Sequence, residues 1–285
     1  MPIPLSKIKS TVRSNFDNSV DLYEDFEDHF GLFEHLTEHL ITQTSTSTGQ
    51  TIIDVGCGTG ISTLPIVQTI GPAGTIFAID ISEAMLERAK DRLKDYEDQI
   101  TLIACDACNM SEHIDVKVDR ILFTASIFLI PDADQVLINC FEMMKPGGIL
   151  GLNYLGKILV DGEPLTDVVK EQEPDLFPYG RGVVDVSMLG QMAGEAGFSK
   201  LNDGVLAWDI TTEEAAAFYT IPAQSAGLYP REIYERRREK VAKFFEFAGN
   251  LGDLQQCWGW YVGKKRQANQ TDEEIQEETP GLVGE

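Results

Sequence analysis

The sequence predicts an α/β protein built around a mostly parallel sheet, and three observations in its first half support this. Thr51–Val55 is a mainly apolar run with the β-branched content of a strand that is covered on both faces. Gly56–Gly60 is a glycine-rich turn, and Ile61–Ile70 continues with helical periodicity. Further apolar runs of strand length follow, separated by helical segments, as in repeated strand and helix units.

The glycine turn indicates a site for a nucleoside cofactor. Gly56, Gly58 and Gly60 stand at alternate positions, where they remove side chains that would keep a ligand from the backbone. A dinucleotide fingerprint needs glycine at its first, third and sixth positions. Counted from Gly56 the sixth position is Ile61, and counted from Gly58 it is Thr63. The spacing therefore opposes an NAD site.

This segment resembles motif I of the class I S-adenosylmethionine (SAM) dependent methyltransferases, in the small-molecule, UbiE-like branch. The family pattern DxGxGxG is intact, because Asp54 stands two positions before the first glycine. The resemblance implies SAM as the cofactor. It also implies a Rossmann-like seven-stranded sheet, mostly parallel with the last strand antiparallel, with helices on both faces and a helical insertion.

A second strand, Gly74–Asp80, ends on the acidic residue expected to accept hydrogen bonds from ribose hydroxyls. The alternative for Asp80 is a turn or capping residue. Ser82 is a plausible N-cap for the helix that follows. The resemblance implies that Ile81 and Met85 flank the adenine ring.

The next strands complete the predicted cofactor site. Ile100–Cys105 leads to Asp106 and Ala107, and the resemblance implies that these two residues bind adenine through a carboxylate and a backbone N–H. A fourth strand, Arg120–Phe123, opens onto a polar turn, and a fifth, Ile149–Tyr154, follows the turn Lys145–Gly148. The predicted cofactor-binding residues are Asp54, Gly56, Cys57, Gly58, Gly60, Asp80, Ile81, Met85, Asp106, Ala107, Thr124 and Ser126.

The rest of the chain predicts the end of the sheet and two variable regions. The last core helix is expected at Val186–Ala196, the sixth strand at Val205–Ile210 and the seventh, antiparallel strand at Leu254–Lys264, with inserted helices at Thr212–Tyr219 and Arg231–Phe247. The predicted divisions are an N-terminal helical lid (1–48), a methyltransferase core (49–266) with acceptor-side insertions at about 156–185 and 211–250, and an acidic, disordered tail or linker (267–285).

The N-terminal segment is a candidate lid. Leu32, Phe33, Leu36 and Leu40 follow helical spacing, which marks a packed face. In related methyltransferases a helix here covers the cofactor and carries an aromatic residue near the sulfonium, a role that Tyr23 or Phe16 would fill. The alternative is that both rings pack on the core.

Methyl transfer is an in-line displacement, so alignment of donor and acceptor supplies much of the catalysis. A base is needed only if the acceptor starts protonated. Family members that need one often have a histidine just after the fourth strand, where this chain has Ile127 and Phe128. This favours a carboxylate or an acidic enol or phenol as acceptor. We expect a small organic molecule or short peptide, methylated on oxygen or nitrogen, as in natural-product biosynthesis.

No residue is assigned as catalytic, and the candidates are Tyr23, Tyr154, Arg181 and Tyr219. Arg236–Arg238 is also basic, but it lies among glutamates and is more typical of surface ion pairs.

No metal site is predicted. His35 and His39 are four positions apart on one helix, but with no third histidine they are expected to form a solvated face. Cys105 and Cys108 form a single CxxC pair, too few ligands for zinc, and their thiols are expected to pack beside the cofactor.

The formal charge of −23 over 285 residues opposes binding to nucleic acids and to anionic membranes. The five cysteines, without an export signal or a transmembrane run, predict a cytoplasmic protein. The acidic tail is either a solubilising end or a linker to a further domain. Two other functions stay open: an NAD-binding oxidoreductase, and a non-catalytic SAM-binding partner subunit.

Overall fold

The structure, a computed structural model, describes residues 4–180 and 184–266, which form two compact units. The sheet unit consists of Leu32–Tyr154, Val184–Gly204 and the chain from Trp260 onward. The helical unit consists of the chain up to Gly31, the segment that begins at Leu155, and Val205–Gly259.

The described residues contain one sheet, in which the strand before the glycine turn lies between two neighbouring strands. Its strands are β1 (Thr51–Val55), β2 (Thr75–Asp80), β3 (Ile100–Ala104), β4 (Val118–Phe123), β5 (Met144–Val160), β6 (Glu163–Pro164), β7 (Phe198–Ile210) and β8 (Leu254–Lys265). The strand order is β3-β2-β1-β4-β5-β8-β7, and β6 pairs with β5. The strands from β3 to β5 pair in parallel, and the sheet is mostly parallel with an antiparallel end.

Helices connect these strands. They are α1 (Leu5–Asp17), α2 (Val20–Phe30), α3 (Leu32–Gln43), α4 (Thr63–Ile70), α5 (Glu83–Arg92), α6 (Ala133–Met143), α7 (Leu165–Gln172), α8 (Leu189–Glu195), α9 (Thr212–Thr220), α10 (Pro222–Leu228) and α11 (Tyr234–Ala248). Short 3-10 turns add Lys94–Tyr96, Ala107–Glu112, Ile127–Leu129, Pro174–Leu176 and Val186–Met188.

Both faces of the sheet are covered, because successive residues of a strand point to opposite sides. Ile52 belongs to an apolar cluster with residues of α4 and α5, whereas its neighbour Ile53 belongs to a cluster with residues of α6 and α8. The predicted mostly parallel sheet with helices on both faces is confirmed.

Arg120 at the start of β4 ties α3 to the sheet. Its guanidinium donates to the carbonyl oxygens of Thr44 at 3.0 Å and Ser45 at 3.4 Å, just past the C-terminus of α3. It also donates to the carbonyl of Asp119 at 2.9 Å. Helix C-termini leave carbonyls without intrahelical partners, and a cation there is favourable. Arg120 therefore anchors the end of α3 beside β4.

The helical unit joins two segments that are far apart in the sequence. In it, α1 packs on α10 and α2 packs on α9. The hydroxyl of Ser19 accepts a hydrogen bond from the backbone N–H of Ala223 at 3.1 Å. The rings of Phe26 and Phe218 have centroids 5.5 Å apart. The N-terminal helices α1 and α2 thus contact the insertion that precedes β8, while the predicted lid role of residues 1–48 stays a prediction.

Several elements differ from the sequence expectation, among them strand β6 and helix α7, which were not predicted. The fifth strand begins at Met144, so the predicted turn at Lys145–Gly148 lies within β5, where its pairing with β4 shifts register. The sixth strand, β7, begins at Phe198 rather than Val205, because polar residues on its exposed side hide the strand pattern. Helix α10 was not predicted. It begins with Pro222, whose fixed φ suits the first helical turn.

We predict that Arg120→Met lowers the unfolding free energy by about 2 kcal/mol, because three carbonyls would lose a charged donor. Chemical denaturation measures this. Arg88→Met, which removes an exposed arginine from α5, serves as control and should change the free energy by less than about 0.5 kcal/mol. Equal effects of the two substitutions would contradict the anchoring role.

Candidate functional site

The loops after β1, β2, β3 and β4 meet at one edge of the sheet unit. These strands are parallel and adjacent, so their carboxyl ends share that edge. All twelve residues predicted to bind the cofactor lie on the ends of these strands, in the loops after them, or in the first turn of α5. The described structure therefore brings the predicted cofactor residues together within one unit.

The three glycines of the turn differ in the space that surrounds them. All have positive φ, at 74° for Gly56, 54° for Gly58 and 82° for Gly60, a region that side chains disfavour. A Cβ on Gly56 would lie 2.5 Å from the Cβ of Ser126, and one on Gly60 would lie 3.0 Å from a methyl of Leu93. A Cβ on Gly58 would meet no atom within 4 Å. Gly56 and Gly60 thus permit close packing, and Gly58 borders open space.

Asp54 lies fully buried beneath this turn. Its Oδ2 accepts hydrogen bonds from the hydroxyls of Ser62 at 2.8 Å and Thr63 at 2.7 Å. Burial raises the pKa of Asp54 from 3.8 to about 6, against the effect of these two hydrogen bonds and with a smaller contribution from the charge of Asp80. At neutral pH a mostly ionised carboxylate is therefore held out of water.

Several buried polar atoms around this edge lack partners among the described residues: Asp54 Oδ1, Thr59 Oγ1 and Thr124 Oγ1. Buried polar groups are nearly always hydrogen-bonded in folded proteins. A ligand or a water molecule must supply the missing partners. The orphaned atoms lie on β1, in the glycine turn and after β4, which is where a cofactor is expected.

Asp80 connects the first two loops. Its Oδ2 accepts from the backbone N–H of Gly58 at 2.9 Å, and its Oδ1 accepts from the backbone N–H of Ser82 at 2.8 Å. Ser82 caps α5 by accepting from the N–H of Met85 at 3.2 Å, as predicted. Next to them Ile81 is half-buried and Met85 is fully buried.

The loop after β3 is organised by Asp106. Its Oδ1 accepts from the backbone N–H of Cys108 at 3.0 Å, where it caps a 3-10 turn that starts at Ala107. The Cys108 thiol donates to Asp132 Oδ2 at 2.8 Å. One ligand-type atom from each of Asp106, Cys108 and Asp132 lies within 4.8 Å of the others. Burial raises the pKa of the neighbouring Cys105 thiol to about 11, so this thiol stays protonated and is a poor metal ligand.

The turn after β4 holds Thr124 and Ser126. The Ser126 hydroxyl donates to the carbonyl of Val55 at 2.5 Å, so it fastens the end of β4 to the end of β1. The following 3-10 turn begins with Ile127 and Phe128, both buried. The position where related enzymes carry a basic histidine is therefore apolar in this chain.

The candidate catalytic residues fall into both units. Tyr154 is half-buried in the sheet unit, and burial and the charge of Asp203 raise its pKa. Tyr23 and Tyr219 belong to the helical unit, with Tyr23 half-buried and Tyr219 buried. Burial raises the pKa of Tyr219 far above its usual value, so its hydroxyl is protonated at neutral pH. Arg181 lies outside the described residues.

The expected solvated face of histidines is wrong for His39. His35 is exposed, but His39 is half-buried and packs edge-on against Trp260, with ring centroids 5.1 Å apart. Burial lowers the pKa of His39, with a smaller contribution from His35. The cause is that α3 packs this side chain on β8, a long-range contact that the helical spacing does not reveal.

The sequence patterns did not identify the buried polar residues that pack beneath the loops of the site. Ser62, Thr63 and Thr59 were not singled out, although hydroxyls at the start of a helix beside a buried acid are a usable signal. Asn153 was also missed. A single amide within the apolar run of β5 is a signal of a buried polar contact.

Comparisons with known proteins agree with this geometry. Residues 52–148 match the family model described as "Methyltransferase domain". The demethylmenaquinone methyltransferase of Lactobacillus johnsonii is 29% identical over 135 residues, 46% of this chain and 52% of that protein. The aklanonic acid methyltransferase DauC of Streptomyces sp. (strain C5) is 27% identical over 144 residues, 50% of this chain and 64% of that protein. The matches thus span about half to two thirds of these relatives.

The fold is also shared with solved structures. Phosphoethanolamine N-methyltransferase 2 of Haemonchus contortus, in complex with phosphomonomethylethanolamine and S-adenosylhomocysteine, superposes with a TM-score of 0.57 at 15% identity. This similarity covers 94% of this chain and 61% of that one.

Among residues 4–180 and 184–266, none of the helices combines the length and the apolar character that a membrane span requires.

We predict that Asp54→Asn makes the protein more stable relative to wild type as pH rises. The pKa of Asp54 is about 6 in the folded protein, above its ordinary value of 3.8. Such a carboxyl contributes its full stabilisation to the fold below pH 3.8 and loses this contribution as pH rises from 3.8 to about 6. The wild type should therefore lose about 2 kcal/mol against the asparagine variant from pH 4 to pH 8. Chemical denaturation across this range measures the difference.

Asp119→Asn is a control of opposite sign. Partial burial raises the pKa of Asp119, but hydrogen bonds from Lys145 and from the backbone N–H of Thr51 lower it. The net effect is a lowered pKa for Asp119. Its ionised form thus stabilises the fold above the unfolded pKa, and the variant should lose stability against wild type as pH rises. A difference between wild type and Asp54→Asn that does not change with pH would contradict the account of Asp54.

Proposed function

We propose that this chain, which is similar to class I S-adenosylmethionine-dependent methyltransferases, transfers a methyl group from SAM to oxygen or nitrogen of a small organic molecule or short peptide. The observation that carries this proposal is the glycine turn with positive φ at Gly56, Gly58 and Gly60, set above the orphaned Asp54 Oδ1. The geometry also suits the cofactor of this family.

We infer which residues hold SAM from the groups that each can offer. The Asp80 carboxylate would accept from the ribose hydroxyls, since it stands at the end of β2, where an acidic residue of this fold meets a ribose. Asp106 and the backbone N–H of Ala107 would hold the adenine edge. The open space beside Gly58 leaves room for the cofactor chain to approach the backbone. The cofactor supplies a sulfonium-activated methyl group.

The protein's own contribution to the transfer is alignment rather than proton removal. Ile127 and Phe128 give the end of β4 an apolar surface, and the buried hydroxyl of Tyr219 stays protonated. Neither can take a proton from an acceptor at neutral pH. Holding two reactants in line removes entropy cost before the reaction and accounts for a large part of the rate in such displacements.

An acceptor that is already ionised needs no base from Ile127, Phe128 or Tyr219, the described residues considered for that role. A carboxylic acid with a pKa near ~4 is anionic at pH 7, whereas an alcohol or amine must lose a proton. The relative DauC is named for an acid substrate, aklanonic acid. We therefore propose a carboxylate, or an acidic enol or phenol, as the acceptor and natural-product metabolism as its setting.

The proposal also includes the binding partners and the location of the protein. A formal charge of −23 supports a small-molecule acceptor rather than nucleic acid or an anionic membrane surface. The cytoplasmic location and a further domain after the acidic residues 267–285 also stay proposals. Neither the oxidoreductase nor the non-catalytic subunit gains support from the two relatives described above, both of which are named as methyltransferases.

We predict that Asp80→Ala weakens S-adenosylhomocysteine binding by about 1.5–3 kcal/mol, because charge-assisted hydrogen bonds to the ribose would be lost. Isothermal titration calorimetry measures this. Glu87→Ala, an exposed acid on α5, is the matched control and should bind as the wild type does. Unchanged affinity of Asp80→Ala would remove the ribose assignment. Thermal stabilisation of the wild type by NADH but not by S-adenosylhomocysteine would overturn the proposed function.

We also predict that methylation of a carboxylate acceptor survives replacement of all four histidines. His39→Phe preserves the packing against Trp260, and His29, His35 and His113 can be changed to Gln. The assay follows formation of S-adenosylhomocysteine with a panel of aromatic and aliphatic carboxylic acids. Lost turnover with intact cofactor binding would count against chemistry without a base.

A further inference from the structure

One side of β5 faces α3. Gly151 has no room for a side chain, because an added Cβ would collide with Thr44 and approach Leu40. Asn153 lies two residues further on and therefore points to the same side of the strand. Its amide contacts Leu36, one helical turn before Leu40. Between these contacts α3 runs along β5 at close distance.

Asn153 is fully buried and is satisfied at both ends of its amide. Its Nδ2 donates to the carbonyl of Leu36 at 3.2 Å, and its Oδ1 accepts from the backbone N–H of Ala125 at 2.6 Å. The two backbone partners fix the orientation of the amide, since a carbonyl needs a donor and an N–H needs an acceptor. A buried amide with both ends paired is rigid and specific.

Its partner Ala125 adopts an unfavourable backbone conformation. Ala125 has φ of 52°, in the left-handed region that residues with a Cβ rarely occupy. Such residues persist where their surroundings hold them, and they cluster at binding sites. The hydrogen bond from Ala125 N–H to Asn153 is the contact that restrains this residue directly.

The strained residue stands between two groups of the cofactor site. Before it, Thr124 has a buried hydroxyl without a partner among the described residues. After it, Ser126 donates to the carbonyl of Val55 and packs where a side chain on Gly56 would lie. The conformation of Ala125 thus decides where the Thr124 hydroxyl points and how Ser126 closes on the glycine turn.

We propose that Asn153 is a positioning residue for the cofactor site. It holds the turn Thr124–Ser126 in its strained conformation and links that turn to α3. The amide does not touch the cofactor itself but acts through Ala125. The identity of the ligand, SAM, rests on the proposed function, whereas the holding of the turn does not.

The test is a double-mutant cycle of Asn153→Leu and Ala125→Gly. Glycine adopts positive φ at little cost, so it should remove the need for the restraint. We expect Asn153→Leu to weaken S-adenosylhomocysteine binding at least about tenfold and Ala125→Gly alone to stay within about threefold of wild type. The double variant should return to within about threefold of Ala125→Gly. Affinities are measured by calorimetry at a temperature where all variants are folded.

Thr37→Val is the matched control. Thr37 is fully buried in α3, and its hydroxyl donates to the carbonyl of Phe33 at 2.6 Å. Loss of this bond should lower stability and leave cofactor affinity unchanged. If Thr37→Val weakens binding as much as Asn153→Leu, general loosening of α3 explains the effect and the proposal is overturned. It is also overturned if the double variant binds as weakly as Asn153→Leu.

A second readout separates this inference from the proposed function. The same four proteins are unfolded with denaturant, and Ala125→Gly should offset part of the stability lost in Asn153→Leu. If the wild type does not bind S-adenosylhomocysteine, the proposed function fails, yet this coupling still supports the holding of the turn. Additive losses would overturn it. Asn153→Asp keeps the acceptor for Ala125 N–H and should retain binding within about threefold, and a loss of about tenfold in this variant would overturn the proposal even if Asn153→Leu does not fold.

Discussion

The site depends on one steric constraint, which is that the chain leaving β1 must turn in the narrow space between β2 and β4. On one side the backbone N–H groups of Gly56 and Cys57 both donate to the carbonyl of Ile79, at 2.8 and 3.0 Å. On the other side Ser126 leaves no room for a Cβ at Gly56. Only glycine meets both demands, because the turn needs positive φ as well as space. The remaining contacts of the site build on this position.

Beneath the turn, Asp54 shows that the site is not optimised for stability. A fully buried carboxylate with a pKa raised to about 6 costs the folded protein about 3 kcal/mol at neutral pH by linkage. Its unpartnered oxygen and the strained φ of Ala125 add to this cost. Both costs lie at the edge of the sheet where the loops after β1 and β4 meet, and such strained or unpartnered groups cluster at binding sites.

The sequence predicts the parts of this protein that depend on local pattern. The strands up to β4, the glycine turn and the cap at Ser82 were predictable, because strand alternation, turn chemistry and capping act over a few residues. The contact between the start of α2 and α10 was not, because Ser19 and Ala223, which make it, are 204 positions apart. The solvated position predicted for His39 was wrong for the same reason, because its partner Trp260 lies on the last strand.

The division of the chain into two units has a consequence for how function is distributed. The residues proposed to hold the cofactor, from Asp54 to Ser126, lie wholly within the sheet unit. Tyr23 and Tyr219, candidates for contact with the acceptor, lie in the helical unit, which combines the N-terminal helices with the insertion before β8. The Ser19 hydroxyl contacts α10 and the Phe26 ring contacts α9, so the N-terminal helices and that insertion depend on each other for their packing.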